Sequence, residues 1–267
     1  MPRFAANLSM LFNEYPFIER FDRAAIAGFQ AVEFMFPYAE DIPAIRDALT
    51  RNGLTLALFN LPPGDWAAGE RGLAADPRRV NEFRKALKLG IETATYLGVE
   101  KLNCLAGNRI NEIKVEDQIA TYKENLSYAA DRTLTAGVKL VFEPINRFDN
   151  RGFLLDRAST AFEIARELDH PNLKVQYDIY HAQRSEGNMS VTIKQEFAQI
   201  GHVQIADSPD RHEPGTGEIN YPYVLSVLDE AGYSGWVGLE YRPLQSTEFS
   251  LRWLRDWGYW PAGPRNA

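Results

Sequence analysis

Short, mainly apolar runs alternate with longer amphipathic stretches from one end of the chain to the other. The runs are three to six residues long, and continuous apolar runs of this length are typical of strands that are buried on both faces, as in parallel sheets. They predict strands at residues 4–8, 31–34, 54–59, 101–104, 138–142, 173–177, 202–205 and 237–239.

The stretches between these runs carry apolar residues at the three- and four-residue spacing of an amphipathic helix. They predict helices at residues 15–27, 42–51, 77–97, 116–136, 157–168, 191–200, 221–231 and 247–257. Four of the helices are followed by a glycine just before the next strand, at Gly28, Gly53, Gly98 and Gly137. A glycine at this place is typical of a left-handed C-cap, which supports the predicted helix ends.

Eight strand–helix alternations in 267 residues match the size of a (β/α)₈ TIM barrel. A doubly wound open sheet shows the same alternation, but no glycine-rich dinucleotide-binding sequence follows the first predicted strand. No linker, low-complexity segment or block of like charges divides the chain. We therefore predict an α/β fold with one TIM-barrel domain over residues 1–267.

Oxygen-bearing side chains mark the ends of the last four predicted strands. Glu143, Asp178 and Glu240 directly follow apolar runs, and Gln204 lies near the end of the seventh. Successive members are one strand–helix unit apart, so a barrel brings them together at its carboxyl-terminal end, where active sites lie in this fold. Strand alternation points all four side chains toward the barrel axis.

Three carboxylates that converge on one place repel each other and do not all ionise unless a cation lies between them. One divalent metal ion held by Glu143, Asp178, Gln204 and Glu240 removes this conflict. Because all four side chains offer oxygen, the set favours Mg²⁺ or Mn²⁺ over zinc, which prefers nitrogen and sulfur. The structural alternative is that each acid caps a helix or pairs with an arginine, and four successive strand ends make this the weaker hypothesis.

The charge of such a site calls for a further cationic or hydrogen-bonding group. Three carboxylates and one divalent ion leave a net charge of about −1, which disfavours an anionic substrate. Two candidates lie in the adjoining loops, His181 three residues after Asp178, and Arg211 after Gln204. Each also has a structural alternative, as a packed histidine at a helix start and as a surface arginine.

Two glycine- and proline-rich segments, residues 61–72 and 208–217, are each flanked by a predicted strand and a predicted helix. We interpret them as long loops at the active-site end of the barrel. Trp66, Glu70 and Arg71 in the first loop form either a lid over the substrate or a self-packed loop.

Three other notable side chains are expected to be structural. Glu33 lies at the end of the second predicted strand, one residue before its last position, and faces the same end of the barrel. His202 shares a face with Gln204 one layer deeper, where a hydrogen-bonded interior histidine is the better interpretation. Cys104 ends the fourth strand without an adjacent base in the sequence, and we expect a small buried side chain.

The composition argues against several classes of partner. A net charge of −7 disfavours nucleic acid, since phosphate binding needs a concentrated basic surface. Cys104 is the single cysteine, so neither an intrachain disulfide nor a cysteine zinc cluster is possible. The sequence shows no signal-peptide pattern and no apolar run of membrane-spanning length, so we expect a cytoplasmic protein without a membrane partner.

A dense aromatic cluster near the carboxyl terminus has two interpretations. It closes the barrel, or it forms a subunit contact in a homo-oligomer, because aromatic residues are enriched at protein interfaces. The sequence leaves both open. The members of the cluster are Trp253, Trp257, Tyr259 and Trp260.

Seven motifs within residues 4–241 carry a family resemblance that runs from about residue 4 to residue 257. They are FAANLSMLF, VEFMFPY, FNLPPGDWAAGERG, FEPIN, QYDIYHAQRSEG, GHVQIADSPDRHEPGTGEINY and GWVGLEY. Together they closely resemble the hydroxypyruvate isomerases of the xylose isomerase-like TIM-barrel superfamily, which also contains ketose 3-epimerases. The related epimerases usually have histidine at the position of Gln204, so glutamine favours the hydroxypyruvate isomerase branch.

The resemblance implies an enzyme that interconverts hydroxypyruvate and tartronate semialdehyde (2-hydroxy-3-oxopropanoate) by metal-assisted proton transfer through an enediolate. It implies Glu143 and Glu240 as the catalytic acid–base pair, and His181 and Arg211 as contacts of a small hydroxy-keto acid substrate. Arg211 is the preferred partner of the substrate carboxylate, because a guanidinium can bind it through two hydrogen bonds. The implied metal ligands are Glu143, Asp178, Gln204 and Glu240.

Several alternatives stay open at this point. A 2-oxo-tetronate isomerase or a ketose 3-epimerase would use the same site, and neither the native metal nor the proton-removing glutamate follows from the sequence. Metal-dependent phosphodiester hydrolysis is a hypothesis of a different class, because DNA-repair endonucleases share this superfamily's barrel. The acidic charge and the single oxygen-rich ligand set disfavour it. Two glutamates in acid–base positions disfavour a non-catalytic sugar-binding barrel.

Overall fold

In the computed structural model, which describes residues 1–260, eight parallel strands close into a barrel in chain order. The sheet closes where β1 pairs with β8, with Ala5 opposite Gly238. The predicted TIM barrel is confirmed, and positions 261–267 of the predicted domain lie outside the described residues. The strands are β1 Arg3–Asn7, β2 Ala31–Glu33, β3 Thr55–Asn60, β4 Lys101–Asn103, β5 Lys139–Phe142, β6 Leu173–Asp178, β7 Ile200–Ile205 and β8 Trp236–Leu239.

Helices follow the strands along the chain. No helix within residues 1–260 is long and apolar enough to cross a membrane. A short 3₁₀ turn, Phe197–Gln199, separates α7 from β7. The helices are α1 Glu19–Ala27, α2 Ile42–Asn52, α3 Val80–Leu97, α4 Val115–Thr135, α5 Ala158–Leu168, α6 Ile179–Ser185, α7 Met189–Glu196, α8 Tyr221–Glu230, α9 Thr247–Ser250 and α10 Arg252–Asp256.

Two predicted helix boundaries were wrong by four residues. Helix α1 begins at Glu19 rather than at position 15, because the Arg20 side chain binds the carbonyls of Leu8 and Tyr15 and holds the preceding segment in turns. The predicted helix 191–200 ends four residues early, at Glu196, because the chain must reach the barrel wall, where β7 begins.

Two further differences concern short helices. The predicted helix 247–257 is divided into α9 and α10 at Leu251, where the carbonyl of Ser250 accepts a hydrogen bond from the Tyr241 hydroxyl. Helix α6 was not predicted. It begins directly after β6, because the side chain of Asp178 caps its first turn.

The inward face of the barrel changes from apolar to polar along its axis. Near the amino-terminal end, Ala5, Ala31, Ala57 and Trp236 form a small buried cluster. Further along the same strand faces, the buried residues are polar, and they lead toward the carboxyl-terminal end where the predicted site lies. These buried polar residues are Asn7, Glu33, Asn103, Gln176, His202 and Gln204.

The carboxyl-terminal aromatic cluster packs within the chain. The rings of Trp253 and Tyr259 contact Phe4 of β1, with centroids 5.4 and 5.3 Å away. The ring of Trp260 contacts Phe29, just before β2, at 4.9 Å. Of the two interpretations, closure of the barrel wall is the one the contacts support.

Candidate active site

The four strand-end side chains lie side by side at the carboxyl-terminal end of the barrel. Glu143 follows β5, Asp178 ends β6, Gln204 lies in β7 and Glu240 follows β8. The register aligns Asp178 with Gln204, and Gln204 with Gly238 of β8. All four side chains are buried at this end of the barrel, where the predicted strand ends place them, and their sharing of one metal ion stays a prediction.

One carboxylate oxygen of Asp178 has a structural role, and the other has no hydrogen-bond partner among the described residues. Its Oδ1 accepts hydrogen bonds from the backbone N–H groups of Tyr180 (2.8 Å) and His181 (3.4 Å), which is the helix cap considered as the structural alternative. Its Oδ2 is buried and has no hydrogen-bond partner within residues 1–260. A buried polar atom without a partner is costly, and a cation is a group that would satisfy this one.

Glu143 and His181 lie next to Asp178. One ligand atom from each of the three side chains lies within 4.8 Å of the other two. Nδ2 of Asn103 donates a hydrogen bond to Oε2 of Glu143 (2.9 Å), while Oε1 lies 3.9 Å from Nε2 of His181. Asn103 therefore orients one oxygen of Glu143 and leaves the other for the site.

The hydrogen bonds of Asn146 determine the tautomer of His181. Oδ1 of Asn146 accepts from the backbone N–H groups of Phe148 and Asp149, both at 3.0 Å. Its Nδ2 must then be the atom that lies 2.6 Å from Nδ1 of His181. Because an amide NH₂ only donates, Nδ1 is the acceptor and the ring proton sits on Nε2.

His181 is therefore a neutral hydrogen-bond donor to the site. Its Nε2 lies 3.6 Å from Oδ2 of Asp178 and 3.9 Å from Oε1 of Glu143. Burial lowers the pKa of His181 well below its ordinary value, and the charges of Arg211 and Arg184 act in the same direction. With the proton on Nε2, this nitrogen has no lone pair for a metal ion, so His181 fits a substrate contact better than a ligand.

Arg211 links Glu240 to Asp178. Its Nη2 is 3.0 Å from Oε2 of Glu240 and 3.9 Å from Oδ2 of Asp178, and its guanidinium lies over the ring of Tyr180. Arg211 has a φ of 61°, a left-handed conformation that is uncommon for a residue with a side chain and is found at functional sites. The pairing of Glu240 with an arginine is the second structural alternative considered for a strand-end acid.

These contacts change the role predicted for Arg211. Burial alone would lower its pKa, but the attraction of Glu240, Asp178, Glu143 and Asp149 outweighs burial and raises the pKa above its ordinary value. Its charge is thus already opposed by acids of the protein. Arg211 acts in this structure as the counter-ion of the carboxylates, which leaves it poorly suited as the main partner of a substrate carboxylate.

The surroundings of Glu143, Asp178 and Glu240 favour the protonated forms of these acids. Burial raises the pKa of Glu143 well above its ordinary value, and the charges of Glu240 and Asp178 raise it further. Burial also raises the pKa of Asp178 to about 6 and that of Glu240 to about 8, although Arg211 lowers both in part. A divalent cation reverses such shifts by favouring the charged forms, so the donor set fits a metal ion.

Gln204 is held by a buried hydrogen-bond network. Its Nε2 donates to Oε1 of Glu33 (2.6 Å), and its Oε1 accepts from Nε2 of Gln176 (2.6 Å). Nε2 of His202 binds the other oxygen of Glu33 at 2.7 Å. The structural interpretation of Glu33 and His202 agrees with these contacts. Gln204 can reach a metal ion only through the remaining lone pair of Oε1, and its role as a ligand stays a prediction.

The amides that orient the site were not predicted from the sequence. Asn103 holds Glu143, Asn146 holds His181, and Gln176 holds Gln204. One signal was available, because asparagine ends three of the first four strands, in the segments RFAAN, TLALFN and KLN. A polar residue that ends an apolar strand at this face of a barrel points into the same mouth as the acids.

One cavity of about 660 Å³ opens above the acids, a volume typical of small-molecule sites. Glu143, Glu240 and His181 line it from below, and Trp66 and Arg71 line it from the loop between β3 and α3. Glu70, the third residue considered for either a lid or a self-packed loop, pairs with Arg79 and with the backbone N–H of Asp65. The loop is therefore partly self-packed and partly a wall of the cavity.

Comparison with known proteins finds one matching family model and relatives that are named as isomerases. The family model described as xylose isomerase-like TIM barrel matches residues 21–257. The chain is 50% identical over 254 residues to the hydroxypyruvate isomerase of Escherichia coli (strain K12), covering 95% of this chain and 98% of that protein. It is 48% identical over 257 residues to the 2-oxo-tetronate isomerase of Cupriavidus necator, covering 96% and 99%.

A solved structure from Brucella melitensis, described as AP endonuclease, family 2, superposes with a TM-score of 0.93 at 44% identity, covering 96% of this chain and 99% of that one. An L-ribulose 3-epimerase superposes with a TM-score of 0.76 at 21% identity, covering 100% and 89%, which shows a shared fold alone. The family model, the near full-length identities and the closed barrel agree. The chain belongs to the xylose isomerase-like TIM barrel family, as its resemblance to the hydroxypyruvate isomerases predicted.

Proposed function

We propose that this chain isomerises hydroxypyruvate to tartronate semialdehyde and back. The observation that carries the proposal is the meeting of two buried glutamates, Glu143 and Glu240, with Asp178 and a neutral His181 below one cavity. The 50% identity to the Escherichia coli hydroxypyruvate isomerase, over almost the whole of both chains, supports it.

The reaction moves hydrogen between two neighbouring carbons without gain or loss of atoms. A base removes a proton from C3 of hydroxypyruvate, which gives an enediolate, and an acid delivers a proton to C2. The hydroxyl proton on C3 passes to the oxygen on C2. Glu143 and Glu240 form the acid–base pair, because both carboxyl groups are buried and line the cavity, and a positioned carboxyl group can accept or donate a proton.

His181 stabilises the charge that develops during proton transfer. Its Nε2–H is directed into the site, because Asn146 binds the other ring nitrogen. A donor that is already oriented acts on a developing oxyanion without the cost of reorganisation. Because the ring is neutral, it supplies this hydrogen bond without competing with Arg211 as a counter-ion.

Glu143, Asp178 and Glu240 would hold one divalent metal ion, with Gln204 as the further oxygen ligand expected from the sequence. The unpartnered Oδ2 of Asp178 and the raised pKa values of the acids fit such an ion, and oxygen donors favour Mg²⁺ or Mn²⁺. When bound, the ion would polarise the substrate carbonyl and make the C3 protons more acidic.

A 2-oxo-tetronate isomerase is the second candidate, favoured by the 48% identity to the Cupriavidus necator protein of that name. The site chemistry is the same, and the cavity of about 660 Å³ admits a four-carbon acid. Phosphodiester hydrolysis, suggested by the description of the Brucella melitensis structure, fits less well, because a chain with a net charge of −7 repels the phosphates of DNA.

A direct assay compares these candidates. Protein stripped with a chelator is resupplied with Mg²⁺ or Mn²⁺ and mixed with hydroxypyruvate, 2-oxo-tetronate, tagatose or a DNA duplex that contains one abasic site. We expect metal-dependent loss of hydroxypyruvate with the highest kcat/KM and no incision of DNA. Faster turnover of 2-oxo-tetronate than of hydroxypyruvate would identify 2-oxo-tetronate as the substrate. Metal-independent turnover or DNA incision would refute the proposal.

A further inference from the structure

Arg71 lines the cavity above the acids, on the wall formed by the loop between β3 and α3. Within residues 1–260 it forms no ion pair with a carboxylate, in contrast to Arg211, which lies 3.0 Å from Glu240. Arg71 therefore brings a positive charge to the cavity that no acid of the described chain neutralises at close range.

The guanidinium of Arg71 is held in one orientation by several contacts. It stacks on the indole ring of Trp66, 4.0 Å from the centroid. Its Nε donates to Oδ1 of Asn150 (3.2 Å), and its Nη1 donates to the carbonyls of Trp66 (3.1 Å) and Glu70 (2.8 Å). These contacts leave Nη2 without a hydrogen bond among the described residues.

The loop that presents Arg71 is fixed on both sides. A side chain at Gly72 would lie 2.4 Å from the carbonyl oxygen of Leu105, so the backbone after Arg71 packs directly on the loop that follows β4. On the other side, Glu70 is bound to Arg79. Arg71 is thus a pre-oriented group rather than a mobile surface arginine, and pre-orientation reduces the entropic cost of binding.

The partner of Arg71 also connects it to the catalytic groups. The backbone N–H of Asn150 donates to the carbonyl of Asn146 (3.2 Å), and Asn146 fixes the ring of His181. The segment from Glu143 to Asn150 therefore supplies an acid of the site, the partner of His181 and the partner of Arg71. Arg71 and the reacting groups belong to one continuous polar wall.

We propose that Arg71 binds the carboxylate of the substrate and makes the cavity select 2-oxo acids over uncharged ketoses. This inference rests on the proposed isomerase function. One divalent ion and Arg211 would together balance the charges of Glu143, Asp178 and Glu240, so the negative charge of a 2-oxo acid would call for a further cation. Arg71 lines the cavity, and its Nη2 is a donor that no acid of the described chain binds.

The test compares two substrates that differ at one end. Hydroxypyruvate carries a carboxylate where dihydroxyacetone carries a hydroxymethyl group. In Arg71→Gln, we expect KM for hydroxypyruvate to rise about 10- to 100-fold, the usual size of a lost charge-assisted hydrogen bond, while kcat changes less. The kcat/KM for dihydroxyacetone should stay within about twofold of wild type, and Arg71→Lys should restore part of the KM.

Arg109→Gln is the matched control. Arg109 is exposed and borders a separate small pocket beside Arg71, so its loss removes the same charge nearby without reaching the cavity. Its KM should equal that of wild type. An unchanged KM in folded Arg71→Gln, or an equal loss for both substrates, would overturn the inference. If Arg71→Gln does not fold, Arg71→Lys takes its place. A ratio of the KM for hydroxypyruvate to the KM for dihydroxyacetone that equals the wild-type ratio in Arg71→Lys would then overturn the inference. Wild-type protein inactive on hydroxypyruvate would instead refute the proposed function.

Discussion

Two buried acids of the same barrel, Glu33 and Asp178, differ in how completely their oxygens are bound. Glu33 accepts hydrogen bonds on Oε1 from Asn7 (3.1 Å) and Gln204 (2.6 Å), and on Oε2 from His202 (2.7 Å). Asp178 caps a helix with Oδ1, but its Oδ2 has no partner within residues 1–260. Both acids end strands and both are buried. The unmet hydrogen-bonding capacity, rather than burial, is what marks a ligand site.

The surroundings of Glu33 are built to keep it satisfied. A side chain at Gly238 of β8 would approach its Oε1 to 2.2 Å, so glycine at this position gives the carboxylate room across the barrel. Glu33 in turn fixes the amide of Gln204, next to the acids of the site. The barrel interior thus holds one acid, Glu33, with both oxygens bound, next to another, Asp178, that has one oxygen without a partner among the described residues.

The largest expected effect concerns Glu143 and Glu240, the acids that line the cavity above Glu33. Glu143→Gln and Glu240→Gln, made separately, should each lower kcat for hydroxypyruvate by about 10²–10⁴-fold, because proton transfer by a positioned side chain contributes that much. The folded state should persist in both, since an amide relieves the repulsion within the cluster. Steady-state kinetics and thermal unfolding of each variant check this. Retention of most of the activity in either variant would remove that glutamate from the acid–base pair.

A smaller effect tests the comparison itself through one matched pair of substitutions. In metal-free protein, Glu33→Gln should lower the free energy of unfolding by about 1–3 kcal/mol, because an amide cannot accept hydrogen bonds at both positions that Glu33 uses. Asp178→Asn should leave the free energy of unfolding unchanged or raise it. Asparagine also caps helices, and its NH₂ group can donate a hydrogen bond to a neighbouring carboxylate. Denaturant unfolding of both variants measures the difference. Equal losses of stability would show that the two acids do not differ in the way described.

The fold followed from the sequence because local periodicity and barrel topology agree. The apolar runs that end at Glu143, Asp178 and Glu240 are strands in the structure, and their common edge follows from parallel order alone. The helix ends at Gly28, Gly53 and Gly98 adopt positive φ as predicted. The missed helix α6 depends on a cap from Asp178, a residue that we assigned to the metal rather than to the backbone.

The partners of the site residues did not follow from the sequence, because they come from distant segments. Asn103 binds Glu143 across 40 positions, and His202 binds Glu33 across 169. The role of Arg211 depends on its left-handed backbone, which turns the side chain back toward Glu240. The free edge of Arg71 depends on Asn150, 79 positions away. Such pairings are set by packing, which single-sequence patterns do not record.

Calorimetric titration of Mn²⁺ into chelator-treated protein at pH 7 measures directly whether these acids share one divalent ion. We predict one binding site per chain, and release of protons on binding because burial raises the pKa of Glu240 to about 8. The site should be lost in Asp178→Asn and retained in Arg109→Gln. Absence of binding to wild-type protein, or binding to Asp178→Asn with unchanged affinity, would contradict the claim that these acids share one divalent ion.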